Sequence, residues 1–297
     1  WIESRNPQRA VVIGGGFIGL EMAENLVHRG LEVTLVEMAK QVMPPVDAEM
    51  AEYVRRRLVP HLAHLQLGDG VAGFEQAADG SLTVRTQSGQ QYVSDMVILA
   101  IGVRPETSLA RAAGLEIGDR GGIRVDDQMR TSDPRIWAVG DAIEVRNVIT
   151  GQWESIPLAG PANRQGRIAA EVICGRGSRF RGVQGTAVCG FFGRTVALTG
   201  ATEKSLSRAG ITDFEAVHLH PVHHVGYYPG AKPIHLKLIF RKTDGLVLGA
   251  QAVGEEGVER RIDVFATAIQ MGATVFDLEE AELCYAPQYG AAKDPVN

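Results

Sequence analysis

Three glycines and one acid carry the first chemical signal. In VVIGGGFIGLEMAENL, Gly14, Gly16 and Gly19 stand in G-x-G-x-x-G spacing, and Glu37 follows 18 residues after Gly19. Between a strand and a helix, such a run suits a diphosphate. Gly14 permits a tight turn, Gly16 lets the backbone come close to the ligand, and Gly19 lets the helix pack on the strand. The helix N-terminus then offers free N–H groups and its dipole to the anion. Glu37 would accept from ribose hydroxyls and repel a 2′-phosphate, which favours NAD over NADP, with Lys40 near enough to blur that preference. The competing reading is a tight structural turn that holds no ligand.

A second signal lies in TSDPRIWAVGDA. Here a short strand, Ile136–Val139, is expected to deliver Asp141 at its carboxyl end, where open α/β sheets place their ligands. A carboxylate there suits a polyol or a ribose, although a strand closing in a Gly-Asp turn is the plain alternative. PLAGPANRQGRIAAE follows, and it predicts a helix opening at Ala162, with Pro161 at the first helical position and Arg164 and Gln165 in the first turn. Partial positive charge then points out of that end, where the pyrimidine edge of a reduced flavin would be stabilised.

The elements that must position these residues are legible from periodicity. RAVVIG, residues 9–14, reads as a buried parallel strand, Phe17–Arg29 as a helix with Ile18, Met22, Leu26 and Val27 on one face, and Val33–Glu37 as the next strand. Asp47 is the expected N-cap of a helix carrying Met50, Val54 and Leu58 inward until Pro60. Short strands around the turns ADG and SGQ and an apolar strand, Met96–Ile101, complete an α/β unit with an inserted meander. After the linker GRGSRFRG come expected strands at 186–192, 195–200, 214–220, 234–240 and 247–253, with helices near Thr202 and over 256–271.

Composition narrows the function classes. A chain of 297 residues with 45% hydrophobic content and a net charge of −5 has no Lys/Arg block and no apolar run long enough to span a bilayer. No nucleic-acid or membrane partner is expected, and the expected location is cytoplasmic. Cys174, Cys189 and Cys284 are odd in number and widely spaced, with neither C-x-x-C nor disulfide-scaffold spacing, as suits a reducing compartment. His218, His220, His223 and His224 cluster in HLHPVHHVGYY, but no Cys or carboxylate joins them at ligand spacing, so no metal is expected.

Taken together, VVIGGGFIGLEMAENL, ILAIGVRPET, TSDPRIWAVGDA and PLAGPANRQGRIAAEVICG resemble the FAD-dependent pyridine nucleotide-disulfide oxidoreductases in order and spacing, over essentially the whole chain. HHVGYYPGAKPIHLKLIF, GAQAVGEEGVERRIDVFATAI and CYAPQYGAAKDPVN are most similar to segments of coenzyme A-disulfide and persulfide reductases, with NADH oxidases and peroxidases as near relatives. The resemblance implies an α/β chain in three parts: a Rossmann-like NAD(H)-binding domain at 1–121, the second half of an FAD domain at 122–182, and an α+β dimerisation domain at 183–297.

It further implies that Phe17 and Ile18 lie at the nicotinamide pocket with Glu21 nearby, and that Gly102, Asp141, Ala159 and Ala162 belong to the cofactor sites. The plain alternative makes Phe17 core packing and Glu21 solvated. Tyr285, with Tyr227 or Tyr228, resembles the tyrosines that family members present to a disulfide substrate across a homodimer; aromatic loop packing is the alternative. FAD and NAD(H) are the implied cofactors, and a coenzyme A disulfide, persulfide or polysulfide the implied substrate. A family member also carries a Gly-rich unit and a redox cysteine ahead of the motifs matched here. With Trp1 at the start, the expectation is a fragment, inactive alone, with weakened order over 122–182.

Overall fold

The computed structural model describes residues 1–297. Its first unit is a parallel sheet formed by β1 (Arg9–Ile13), β2 (Glu32–Glu37), β3 (His64–Leu67) and, after the meander β4 (Val71–Gln76), β5 (Leu82–Thr86) and β6 (Gln91–Ser94), by β7 (Met96–Leu99). The spatial order is β3-β2-β1-β7, with Ile13 paired to Val36 on one side and Leu99 on the other. Strand β1 is buried from Ala10 onward because sheet neighbours flank it, α2 covers Ala10 and Val12, and the meander covers Val11 and Ile13. The helices are α1 (Ile2–Arg5), α2 (Phe17–His28), α3 (Ala48–Leu58) and α4 (Ser108–Ala112).

Helix α2 is turned relative to the face its hydrophobic spacing suggests. Gly19, Leu20, Ala23 and Leu26 are buried, whereas Ile18 is 56% exposed. The cause is Gly19: a Cβ there would lie 1.8 Å from the Gly14 carbonyl oxygen, so backbone meets backbone and the Gly19–Ala23–Leu26 stripe must face the sheet. Helix α3 buries Met50, Val54 and Leu58 as their spacing predicts.

The middle segment pairs β8 (Ile123–Arg124), β9 (Ile143–Arg146) and β10 (Trp153–Glu154) beside α5 (Ala159–Ile173). It has its own nine-residue core, which includes Val125, Ile143, Ile168, Val172 and Phe180. The strand expected at 136–139 is reduced to one bridge, Arg130 to Trp137, because no further strand lies alongside it to continue the ladder. The C-terminal unit is an antiparallel sheet ordered β11-β12-β15-β14-β13, from β11 (Ala187–Phe191), β12 (Arg194–Gly200), β13 (Glu215–Leu219), β14 (Ile234–Phe240) and β15 (Val247–Gly254). Helices α6 (Glu203–Arg208), α7 (Val258–Met271) and α8 (Val275–Glu279) complete it. No helix is long and apolar enough to cross a membrane.

The first and last units share a core in which Leu20, Met50 and Val54 meet Cys189, Phe191 and Val196. A buried polar knot sits at the same junction. Asp47 occupies the N-cap position of α3 without capping it. Its carboxylate instead accepts from Lys237 Nζ at 2.9 Å, Gln251 Nε2 at 2.7 Å and the Glu203 N–H at 3.2 Å. The Lys237 ammonium, 1% exposed, also pairs with Glu203 at 2.6 Å and with Glu49. It is thus the cation held among the three carboxylates.

Burial alone would raise the pKa of Asp47, and hydrogen bonds from Lys237 and Gln251 reverse that, holding it below its ordinary value. For Lys237 burial acts downward, and the bonds it donates to Glu203, Glu49 and Asp47 outweigh it and raise the ammonium to about 12. Asp47 therefore contributes stability above its unfolded pKa of 3.8 that is lost as pH falls through its lower folded value. Lys237 contributes stability that is complete below 10.5 and lost as pH rises towards about 12. Replacing Lys237 with Ala leaves Asp47 buried and unpaired, so denaturant unfolding of this variant should show a loss of about 3–5 kcal/mol. A loss under about 1 kcal/mol, the scale of an exposed pair, would contradict this role for the knot at the junction.

Candidate functional site

The glycine turn is built by contact on one side and space on the other. Gly14 has φ 106°, and a Cβ there would stand 2.3 Å from the Ala100 carbonyl oxygen at the end of β7. Gly16 caps α2 in an extended conformation, φ −82° and ψ −168°, and a Cβ there would meet nothing within 4 Å. The turn is thus closed towards the sheet and open towards a cleft, with no side chain capping the helix amides. A diphosphate needs this combination: room beside the backbone and unpartnered N–H groups at a helix start.

Glu37 ends β2 almost buried, and its two oxygens accept from the Gly15 and Ala39 N–H groups, both at 2.6 Å. These bonds leave lone pairs on each oxygen, so the carboxylate is fixed and still able to accept from a diol. Lys40 lies on the following bend. The Met43 N–H donates to the Gly15 carbonyl at 2.7 Å, which ties the next loop to the turn, and Lys204 Nζ donates to the Pro44 and Val46 carbonyls at 2.8 and 2.5 Å. Pro44 and Pro45 form one wall of the cleft, so a lysine of the C-terminal unit holds that wall in place.

The cleft has a volume of about 1460 Å³ and brings both sequence signals together. Gly14, Gly16, Phe17, Ile18 and Glu37 line it together with Gly102, Asp141 and Ala159. Leu99 and Ile101, expected inside a strand that runs on to Ile101, are 59% and 71% exposed, because β7 stops at Leu99 and they form the cleft floor. Gly102, at φ 90°, turns the chain along this floor with open space beside it.

Asp141 lies in a short helical turn that follows extended backbone at Val139. The turn is pinned by Gln165, whose buried side-chain oxygen accepts from the Gly140 N–H at 2.8 Å. Helix α5 starts at Ala159, three residues before the expected Ala162. Pro161 fits inside the first turn because amides there have no partner within the helix. The correction moves the site: Ala159 and Gly160 line the cleft, and no side chain caps the helix there. Ala162 stands a turn further on, off the cleft wall, where its methyl approaches Gly140. Arg164 and Gln165 consequently sit in the second turn. A carboxylate opposite an uncapped helix start fits a ribityl chain and an anion-bearing ring, the donor set that a flavin requires.

Glu21 is exposed and does not line the cleft. Tyr227 and Tyr285 hydroxyls lie 3.2 Å apart, and Tyr228 meets His224 edge-on, but none of the three tyrosines lines the cleft. The hydrogen bond that Tyr285 donates to Tyr227 raises Tyr285 above its ordinary pKa. Of the clustered histidines, His220 pairs with His235 through their Nδ1 atoms at 3.0 Å, while His223 and His224 lie against each other elsewhere. Burial pushes the Cys189 thiol up to about 12.

The doubly covered sheet, the glycine turn and the facing carboxylate define a nucleotide-binding α/β protein with an antiparallel C-terminal unit. Residues 1–166 match the pyridine nucleotide-disulphide oxidoreductase family, and residues 186–294 match its dimerisation domain, so the chain belongs to that family. It is 35% identical over its full length to an NAD(P)H sulfur oxidoreductase (CoA-dependent) from Pyrococcus abyssi and covers 66% of that protein. It is 53% identical to reduced Bacillus anthracis CoADR-RHD, with a TM-score of 0.96, covering 100% of this chain and 53% of that one. A NAD-dependent persulfide reductase from A. fulgidus is 40% identical with a TM-score of 0.95, over 99% of this chain and 54% of the other. The chain spans 66% of the length of the curated relatives cited.

Two glycine substitutions separate seat from scaffold. Gly16→Ala adds a methyl into open space, so stability should stay within about 0.5 kcal/mol while NADH affinity falls about tenfold or more. Gly19→Ala drives a methyl into backbone and should cost at least about 1–3 kcal/mol of stability. Calorimetric titration and thermal unfolding of both variants check this; unchanged NADH affinity in a folded Gly16→Ala protein contradicts the diphosphate seat.

Proposed function

We propose that the chain is the NAD(H)-binding, partial flavin-binding and dimerisation portion of an NADH-dependent flavoprotein that reduces coenzyme A disulfide, persulfide or polysulfide. In this reading residues 1–121 hold NAD(H), 122–182 complete an FAD site, and 183–297 join two copies into a homodimer. The observation that carries it is a single cleft lined by Gly16, Phe17 and Glu37 together with Asp141 and Ala159. Two cofactors meeting end to end need such a shared cleft.

Bound FAD would supply the relay that takes a hydride from nicotinamide and passes the electron pair to a disulfide. The other tasks fall to the chain's own groups. Gly16 and the N-terminus of α2 hold the diphosphate, Glu37 orients the adenosine ribose, and Phe17 and Ile18 shape the nicotinamide end. Asp141 and the start of α5 hold the second cofactor. The net reaction takes NADH, a proton and a disulfide to NAD⁺ and two thiols. In this reading Tyr285, beside the Tyr227 hydroxyl, donates towards a sulfur leaving group, with Tyr228 next to Tyr227 in the chain. The resemblance to coenzyme A-disulfide reductases supports this substrate class.

The full-length parent should oxidise NADH when mixed with coenzyme A disulfide. Tyr285→Phe should slow that turnover on the order of 100-fold while leaving NADH oxidation by ferricyanide unchanged. No turnover with any disulfide or persulfide defeats the reading, and oxygen consumption faster than disulfide reduction replaces it with NADH oxidase.

A further inference from the structure

The hairpin between β11 and β12 makes a contact that the cofactor seats do not require. Its two turn residues, Phe192 and Gly193, have φ of 45° and 71°. Tight hairpins favour positive φ at both positions, and Gly, Asn and Asp supply it without strain. A bulky aromatic residue adopts it only where its surroundings over-determine the conformation.

Those surroundings belong to the N-terminal unit. Phe192 is buried. Its N–H donates to Glu24 Oε1 on α2 at 2.7 Å, and its carbonyl accepts from Arg57 Nε on α3 at 2.7 Å. Its ring stacks on His61, centroids 4.3 Å apart and planes 5° from parallel. Further along the same strand, the buried Cys189 thiol lies against α2, 3.8 Å from the Phe17 carbonyl and 3.4 Å from the Gly190 carbonyl. Burial keeps that thiol protonated and therefore a donor. Next to it, Thr186, Ala187 and Val188 line the cleft beside Phe17 and Ile18. One strand and its turn thus hold α2 at its first residue and again seven residues on, two helical turns apart. The diphosphate end is secured separately, by Gly19 against Gly14 and by Met43 against Gly15.

We propose that this hairpin positions the nicotinamide end of the cleft, with Glu24 as a positioning residue that sets Phe17 and Ile18 through its bond to Phe192. The proposal rests on the dinucleotide reading above. Without the Glu24 bond, α2 keeps the rotation that Gly19 and its buried face set but loses its tie to the hairpin turn, and the side chains of its first turn shift against β11. Adenosine and diphosphate contacts persist; the nicotinamide contact loosens.

Two ligands separate these effects, because ADP-ribose carries everything in NADH except the nicotinamide. In titrations of the 297-residue chain, Glu24→Ala should weaken NADH about five- to tenfold and leave ADP-ribose within about twofold. Enhancement of nicotinamide fluorescence on binding should fall in parallel. Glu24→Gln keeps an oxygen acceptor for the Phe192 N–H and should restore both affinities. Phe192→Asn, which the left-handed position accepts, removes the stacked ring and should give the same split, so it decides the matter if Glu24→Ala does not fold. Equal weakening of both ligands, or of neither, overturns the positioning role. A wild-type chain that binds neither ligand overturns the dinucleotide reading itself.

Discussion

The approach of Gly19 to the Gly14 carbonyl determines how the nucleotide end of the molecule is built. Only a residue without a side chain allows α2 to sit this close to the strand end. That contact sets the rotation of α2, turns Leu20, Ala23 and Leu26 into the core, and leaves Ile18 facing the cleft. The same seat brings the uncapped amides of the helix to the open side of Gly16. A helix dipole is useful to a diphosphate only when its end is uncovered, and here the geometry that buries the helix also leaves that end bare.

The cleft is not the property of one unit. Its proline wall is held by Lys204, its floor is the end of β7, and another wall is α5, pinned to Asp141 through Gln165 and Gly140. The Asp47–Lys237 knot joins the start of α3 to β14 where the surrounding core is apolar. A polar group so deeply buried fixes one relative arrangement, because any other leaves a charge without its partner. Together these contacts let a cleft open on one side keep a defined shape, and pre-formed sites bind without ordering their own walls.

Much of this was legible in the sequence. Strand β1, helix α3 and the C-terminal strands followed from apolar runs and turn residues, because their neighbours in the fold match what local patterning asks for. Gly14, Gly16, Glu37 and Asp141 were singled out by motif spacing and Ala159 by resemblance, and all five line the cleft. Other readings failed for physical reasons, beyond the strands expected at 136–139 and 96–101 that proved shorter. The face of α2 was set by a backbone contact that hydrophobic spacing does not record. Helix α5 began earlier than Pro161 suggested, because proline is tolerated throughout the first turn. Asp47 turned from its own helix to a lysine 190 residues away, and nothing local announces a partner at that distance. Phe192 carried no signal beyond an aromatic before a glycine.

Whether the glycine turn seats a dinucleotide is tested most directly by following the backbone amides by NMR while NAD⁺ is titrated into the chain. The largest shift changes are expected on Gly14 through Ile18 and on Glu37 and Met38, with smaller changes reaching Gly102. Saturable binding that leaves the glycine-turn amides unmoved, or none at millimolar NAD⁺, would contradict that seat.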